Sequence, residues 1–277
     1  INTARYFRCD GDLGSIAPGK YADLLLISDL TRVTVDNVII AGTIVAENGK
    51  MLIKTSTPQY PDFARKSLRL AKPLQTKDFH ISAPQSKGTA KVRVIQIEEA
   101  QVTTHEQIRT VPIRDGLICA DPTTDLAKIA VFDRHHENGS YALGFVTGFG
   151  FTHGAVASTV AHDSHNLLIV GTNDEDMALA GNVLVEQGGG MVAVADGKVL
   201  ALVSLPVAGL MSDRPVEEVA AAVAKLSKAW KELGCSLLSP FMTMAMLSLP
   251  VIPSLRLTNR GLVNVNNFSI TNLILDE

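Results

Sequence analysis

The chain has 277 residues and a formal net charge of -3, with 46% apolar and 19% charged residues, which is enough for one large domain or two ordinary ones around well-filled cores. The slightly acidic balance, with no basic cluster interleaved with aromatics, argues against a nucleic-acid partner. No apolar run approaches the roughly 20 residues that cross a bilayer, which argues against a membrane-embedded role.

Cys9, Cys119 and Cys235 lie far apart without CxxC spacing, a usage that suits a reducing cytosol. Residues 1–8 carry no cleavage motif, so no signal peptide is expected. The chain is expected to open inside a longer protein.

In chain order, residues 1–7 predict the last turns of a helix, stopped by Asp10-Gly11-Asp12. Pro18-Gly19 predicts a tight turn, and residues 24–27 a buried strand. Residues 38–40 and 43–46 predict short strands about Ala41-Gly42, and Asn48-Gly49 carries the left-handed preference of a hairpin turn. Pro58, Pro61, Pro73 and Pro84 predict an extended connector over residues 57–88, with one helical turn around 63–70. Period-two alternation returns at 91–97, followed by a hairpin about Asp115-Gly116 and a buried strand at 128–132.

That strand runs into Asp133-Arg134-His135-His136, and a glycine-punctuated strand follows over 141–150. Two apolar runs, 155–161 and 167–170, then flank the polar insert His162-Asp163-Ser164-His165-Asn166. Five polar side chains between buried strands are costly unless something organises them. Thr172 or Asn173 caps a helix whose first turn is Asp174-Glu175-Asp176, whose apolar face is Met177, Ala180 and Leu184, and whose stop is Gly188. A polar loop beside a helix start is a common ligand position, so the chemistry is expected here. A hairpin about Asp196-Gly197 comes next. The longest helix then runs from Pro215, with Val216, Val219, Ala220, Val223, Leu226, Trp230 and Leu233 at helical spacing and Gly234 at its end.

His162, Asp163 and His165 are the candidate catalytic residues, because imidazole and carboxylate groups carry protons and bind metals near neutral pH. Ser164, Asn166, Asn173, Arg134 and His135 are the candidate substrate-binding residues. Three such ligands within four residues also fit a metal, but metal sites take three or four protein ligands, and a hydrogen-bonded structural turn explains the same residues. A free-standing metal hydrolase on His135, His162 and His165 is the third reading. The nucleophile elbow, GxGxxG, Walker loop, HExxH and the zinc nucleobase deaminase signature are all absent from the sequence.

Two sets of blocks carry a family resemblance. LGSIAPGKYADLLLI (13–27) and VDNVIIAGTIVAENGKML (35–52) resemble the end of an amidohydrolase-superfamily chain, with Gly14, Ile16, Gly19, Ala22, Asp23 and Leu24 matching its pattern. Asp23 reads as a strand-edge carboxylate. KIAVFDRHHENGS (128–140), GFVTGFGFTHGAVASTVAHDSHNLLIVGTNDEDM (144–177), GGGMVAVADGKVLALVSLPVAGLMS (188–212) and PFMTMAMLSLPVIPSLRLTNRGLVNV (240–265) resemble the C-terminal domain of the adenine deaminase family.

The resemblance implies a mixed α/β fold of the α+β kind. Residues 1–56 would be a β-rich remnant of the small amidohydrolase β-sandwich and 57–88 a connector. Residues 89–277 would form an α/β domain with several hairpins and two main helices. It implies a metal-dependent hydrolase of purine salvage and adenine catabolism, cytoplasmic and homo-oligomeric, that converts adenine to hypoxanthine and ammonia. The divalent metal, manganese or iron, is held mainly by a barrel upstream of Ile1, where it turns water into hydroxide for attack on C6. This chain would partner that barrel segment, supply no certain metal ligand and be inactive alone. The alternative is a non-catalytic packing or oligomerisation module whose polar loop is structural.

Overall fold

A computed structural model describes residues 1–54 and 58–275. The chain divides into two compact units, Ile1–Pro58 and Gln59–Glu277. The expected division between residues 56 and 57 lies outside the described residues.

In the first unit, helix α1 (Asn2–Tyr6) precedes an antiparallel meander of β1 (Leu24–Asp29), β2 (Thr34–Ile40), β3 (Thr43–Glu47) and β4 (Lys50–Met51). Asn48 and Gly49 both take positive φ, 48° and 75°, which closes the β3–β4 hairpin as expected. Asp23 Oδ1 accepts the Ala41 N–H at 2.8 Å and holds the β2–β3 turn, the structural role expected of that carboxylate. The strand expected to be buried is instead open: Leu25 and Leu26 are 55% and 49% exposed. The apolar run forms a strand, but Ala4 and Val45 are the unit's buried apolar residues among those described.

The second unit begins with α2 (Asp62–Arg65), a 3-10 turn at Thr76–Phe79 and β5 (Ile81–Ser82). Residues 59–88 belong to this unit: Leu74 and Phe79 are buried in its core, and the Leu74 main chain exchanges two 2.9 Å hydrogen bonds with the Asn182 side chain. The strands β6 (Gly88–Gln96), β7 (His105–Arg114), β8 (Leu117–Ile118), β9 (Ala127–Phe132), β10 (Tyr141–Thr147), β11 (Ala155–Ser158) and β12 (Leu167–Gly171) follow. After α3 (Asp174–Gln187) come β13 (Gly190–Ala195), β14 (Lys198–Ser204), α4 (Val216–Glu232) and α5 (Pro240–Ala245). Last are β15 (Leu255–Thr258), β16 (Gly261–Asn264), β17 (Ser269–Thr271) and β18 (Ile274–Leu275).

The main sheet has the order β14-β13-β11-β12-β9-β10-β6-β7-β8-β5, with β18 also paired to β6; β15-β16-β17 form a small second sheet. Only β6 and β10 pair in parallel among the described strands. Every residue of β9, β11 and β12 is buried, because layers cover both sheet faces. One layer contains α3 with Met177, Ala180 and Leu184; the other contains α4 with Leu226, Trp230 and Leu233. The mixed α/β class is as expected.

Helix α3 shows how locally the sequence sets its ends. Asn173 Oδ1 accepts the Asp176 N–H at 2.7 Å, and Gly188 stops the helix at φ 74°. The Asp176 carboxylate then accepts the Gly197 N–H at 2.9 Å, joining the helix start to the β13–β14 turn. Asn173→Ala should cost about 1 kcal/mol in urea unfolding; an unchanged midpoint would show that the cap contributes nothing.

Candidate functional site

The 162–166 insert is the connection between neighbouring antiparallel strands β11 and β12. At the same end of the sheet, β9 leaves Phe132, paired with Leu167, and enters 133–140. This brings His162, Asp163, Ser164, His165 and Asn166 beside Arg134 and His135. Asn173 is not brought there. It follows Gly171 at the far end of β12, about 15 Å along a strand of five residues. The helix start therefore does not flank the polar loop, contrary to expectation, because the loop precedes β12 and the helix follows it.

The loop is held by its main chain. The His162 N–H donates to the Ala245 carbonyl at 2.9 Å, and the Ser248 hydroxyl donates to the His162 carbonyl at 3.0 Å. His165 stands in the left-handed region at φ 50°, and its N–H closes onto the Ala161 carbonyl at 2.7 Å. Asp163 and Ser164 are exposed at the tip, while His162 and His165 are half-buried with ring centroids 5.3 Å apart. The Ala161 N–H donates to His165 Nδ1 at 3.3 Å, so a neutral ring carries its proton on Nε2. Burial lowers the His165 pKa, and the charges of His162 and Arg134 push the same way against an opposing pull from Asp163.

The neighbouring residues are tied inward. His135 Nε2 donates to the Ser164 carbonyl at 2.7 Å. Asn166 is buried; its Oδ1 accepts the Arg134 N–H at 3.4 Å and its Nδ2 donates to Asn259 Oδ1 at 3.3 Å. Burial works to raise the Asp133 carboxyl, but the main-chain N–H groups of His135 and His136 and the His136 ring outweigh it, leaving the pKa low. That carboxylate thereby shapes the 133–138 turn. Arg134 is 1% exposed, with its guanidinium on the carbonyls of His165, Ser67 and Ala208.

Among the described residues, no group of three or more His, Cys, Asp or Glu side chains stands together to hold a metal ion. Among the described residues, His135, His162 and His165 are therefore not part of a three-ligand group. Sequence reasoning missed Asp133, Ser248, Asn259 and the Ser67 and Ala208 carbonyls. Only Asp133, next to Arg134, carried a local signal; the others meet the loop through the fold.

Residues 101–269 match the family model described as the adenine deaminase C-terminal domain, and residues 1–45 match the amidohydrolase family. The chain is 60% identical to a protein named adenine deaminase from Moorella thermoacetica, over 99% of the chain and 46% of that relative. It is 51% identical to one of that name from Clostridium botulinum, over 100% and 46%, and 44% identical to one from Mesorhizobium japonicum, over 99% and 46%. The chain thus spans about half the length of the curated relatives it matches.

Proposed function

The chain belongs to the adenine deaminase C-terminal domain family, and from that premise we propose that it is the C-terminal part of a metal-dependent hydrolase that converts adenine to hypoxanthine and ammonia. Its relatives' names and the placement of a half-buried imidazole pair on a fixed loop support this reading. The divalent metal, manganese or iron, would be held mainly by a barrel segment outside this chain.

In this reading the 162–166 loop forms one wall of the adenine site. His162 and His165 carry protons between water, the ring and the departing amine, and Asp163 orients or assists them. Exposed Ser164 and His135 contact the substrate, and Asn166 supports the loop from within. The environment of His165 favours the neutral ring, which would take up a proton at Nδ1 by giving up the Ala161 N–H that it accepts at 3.3 Å. Arg134 directs its guanidinium to main-chain carbonyls and acts behind the site, whereas Asn173 caps α3 away from it.

Leu25, Leu26, Ile40 and Ile44 stay about half exposed on the first unit's sheet, which supports a barrel segment as the surface that covers them. A purine-salvage role in the cytoplasm, as a homo-oligomer, belongs to the same reading. The free state of all three cysteines fits that compartment. No helix among the described residues is long and apolar enough to cross a membrane.

One experiment tests the whole reading: ammonia release from adenine by the chain alone and by the chain joined to an amidohydrolase barrel segment, with added metal in both. Turnover is expected only in the joined protein. Enzyme-like turnover by the chain alone, or none in a folded joined protein, would overturn the proposal. A non-catalytic packing role is the second reading, favoured by the burial of Asn166 and its bonds to Arg134 and Asn259.

A further inference from the structure

We propose that Arg134 is the positioning residue of the 162–166 loop: its buried guanidinium ties the main-chain carbonyl of His165 to those of Ser67 and Ala208, and so sets where the two imidazoles stand. The inference rests on the reading of that loop as part of the adenine site.

The geometry joins three segments far apart in sequence. Arg134 Nε donates to the His165 carbonyl, Nη1 to the Ser67 carbonyl at 3.3 Å and hydroxyl at 3.4 Å, and Nη2 to the Ala208 carbonyl at 3.0 Å. The residue is itself pinned through its main chain. Its carbonyl accepts the Arg69 N–H at 2.9 Å, and its own N–H donates to Asn166, the last residue of the loop. A planar guanidinium presents its donors in a fixed fork, so moving one carbonyl strains the others. Arg134 therefore converts the separation of three backbones into a position for His165.

Two further observations set this apart from ordinary packing. Among the described residues no carboxylate pairs with the Arg134 guanidinium, although the residue is 1% exposed. Burying a cation against carbonyl dipoles alone is less favourable than burying an apolar side chain of similar size, so the arrangement selects geometry over stability. Gly209 is also fitted to it. At φ +70° a Cβ there would lie 2.8 Å from Nη1 and 3.0 Å from Cζ of Arg134. The space above that backbone belongs to the guanidinium.

The charge of the same cation also acts on the imidazole it positions. The charged and titratable groups acting on His165 are His162, Arg134, Asp163 and His135. Removing the Arg134 charge leaves burial in place but takes away one force that keeps the ring neutral. Arg134→Met removes both fork and charge, Arg134→Lys keeps the charge and loses the fork, and Gly209→Ala presses on the fork while every loop side chain remains.

The experiment follows the histidine ring signals of the isotopically labelled chain by NMR across pH, with His165 assigned from the His165→Gln spectrum. In parallel, kcat and KM for adenine are measured in the intact enzyme carrying each variant. His165 signals should shift in all three variants, and its titration midpoint should rise in Arg134→Met but stay low in Arg134→Lys. The kcat of Arg134→Met should fall about 10²-fold with a smaller change in KM, the usual effect of displacing a reacting group by about 1 Å.

A folded Arg134→Met chain with unmoved His165 signals and midpoint would overturn the inference, and so would an unchanged kcat where His162→Gln lowers it. If Arg134→Met does not fold, the ring signals of Arg134→Lys and Gly209→Ala decide the matter: shifted signals support the positioning role, and unmoved ones overturn it. Shifted ring signals alongside His162→Gln and His165→Gln enzymes of full activity would support the positioning role and overturn the catalytic reading of the loop.

Discussion

Replacing His162 or His165 with Gln in the intact enzyme should slow adenine deamination about 10²–10⁴-fold, with little change in melting temperature. A glutamine can still accept the Ala161 N–H that now meets His165 Nδ1 at 3.3 Å, so the loop keeps its local hydrogen bond. It cannot exchange a proton near neutral pH. The two effects are thereby separated: a structural loop would lose stability, and a catalytic one would lose rate. The pH profile gives a further check. In the proposed role His165 would act as a base only when neutral, and burial, with the charges of His162 and Arg134, depresses its pKa from the ordinary 6.5. Activity that depends on this ring should fall as pH drops through that depressed value, so the acid limb should lie below 6.5 and disappear in His165→Gln. Full activity in both variants, or equal losses of rate and stability, would leave a structural turn as the better account.

Much of the fold is legible because its determinants are neighbours in the chain. Asn48-Gly49, Asp115-Gly116 and Asp196-Gly197 all adopt positive φ and close the three hairpins expected of them. Asn173 and Gly188 bound α3 for the same reason. The polar loop is visible too, since five polar residues between apolar strands are conspicuous in any sequence. What surrounds the loop is not. Arg134 reads as a substrate-binding candidate beside two histidines, and its burial depends on carbonyls at Ser67, His165 and Ala208 that only the folded chain brings together. The distance between loop and helix start also escapes local reasoning, because it follows from which end of β12 each occupies. In α4 the spacing marks the right face but too long a stripe: Val216 is 73% exposed, whereas Leu226 and Trp230 are buried. Ala220 is exposed as well, so the buried stripe begins only in the later turns of that helix.

The buried end of α4 is expected to dominate the stability of the second unit, and Trp230→Ala should cost about 3–5 kcal/mol. The indole is 1% exposed and meets Phe241, Phe151 and Phe149 at centroid distances of 4.8, 5.4 and 5.9 Å. One feature opposes this: Trp230 Nε1 has no hydrogen-bond partner among the described residues. An unpaired buried donor costs about 1–3 kcal/mol, whereas a side chain of this size buries up to about 250 Å², worth roughly 6 kcal/mol at 25 cal/mol per Å². Burial wins, but not by its full amount. Trp230→Phe separates the two, because it keeps an aromatic ring among the three phenylalanines and deletes the unpaired donor. Its cost should be less than half that of Trp230→Ala. Trp230 is the chain's single tryptophan, so unfolding must be followed by circular dichroism or calorimetry and not by indole fluorescence. A Trp230→Ala midpoint within error of the parent would contradict the buried cluster, and a Trp230→Phe loss as large as that of Ala would mean that the indole finds a partner for its N–H.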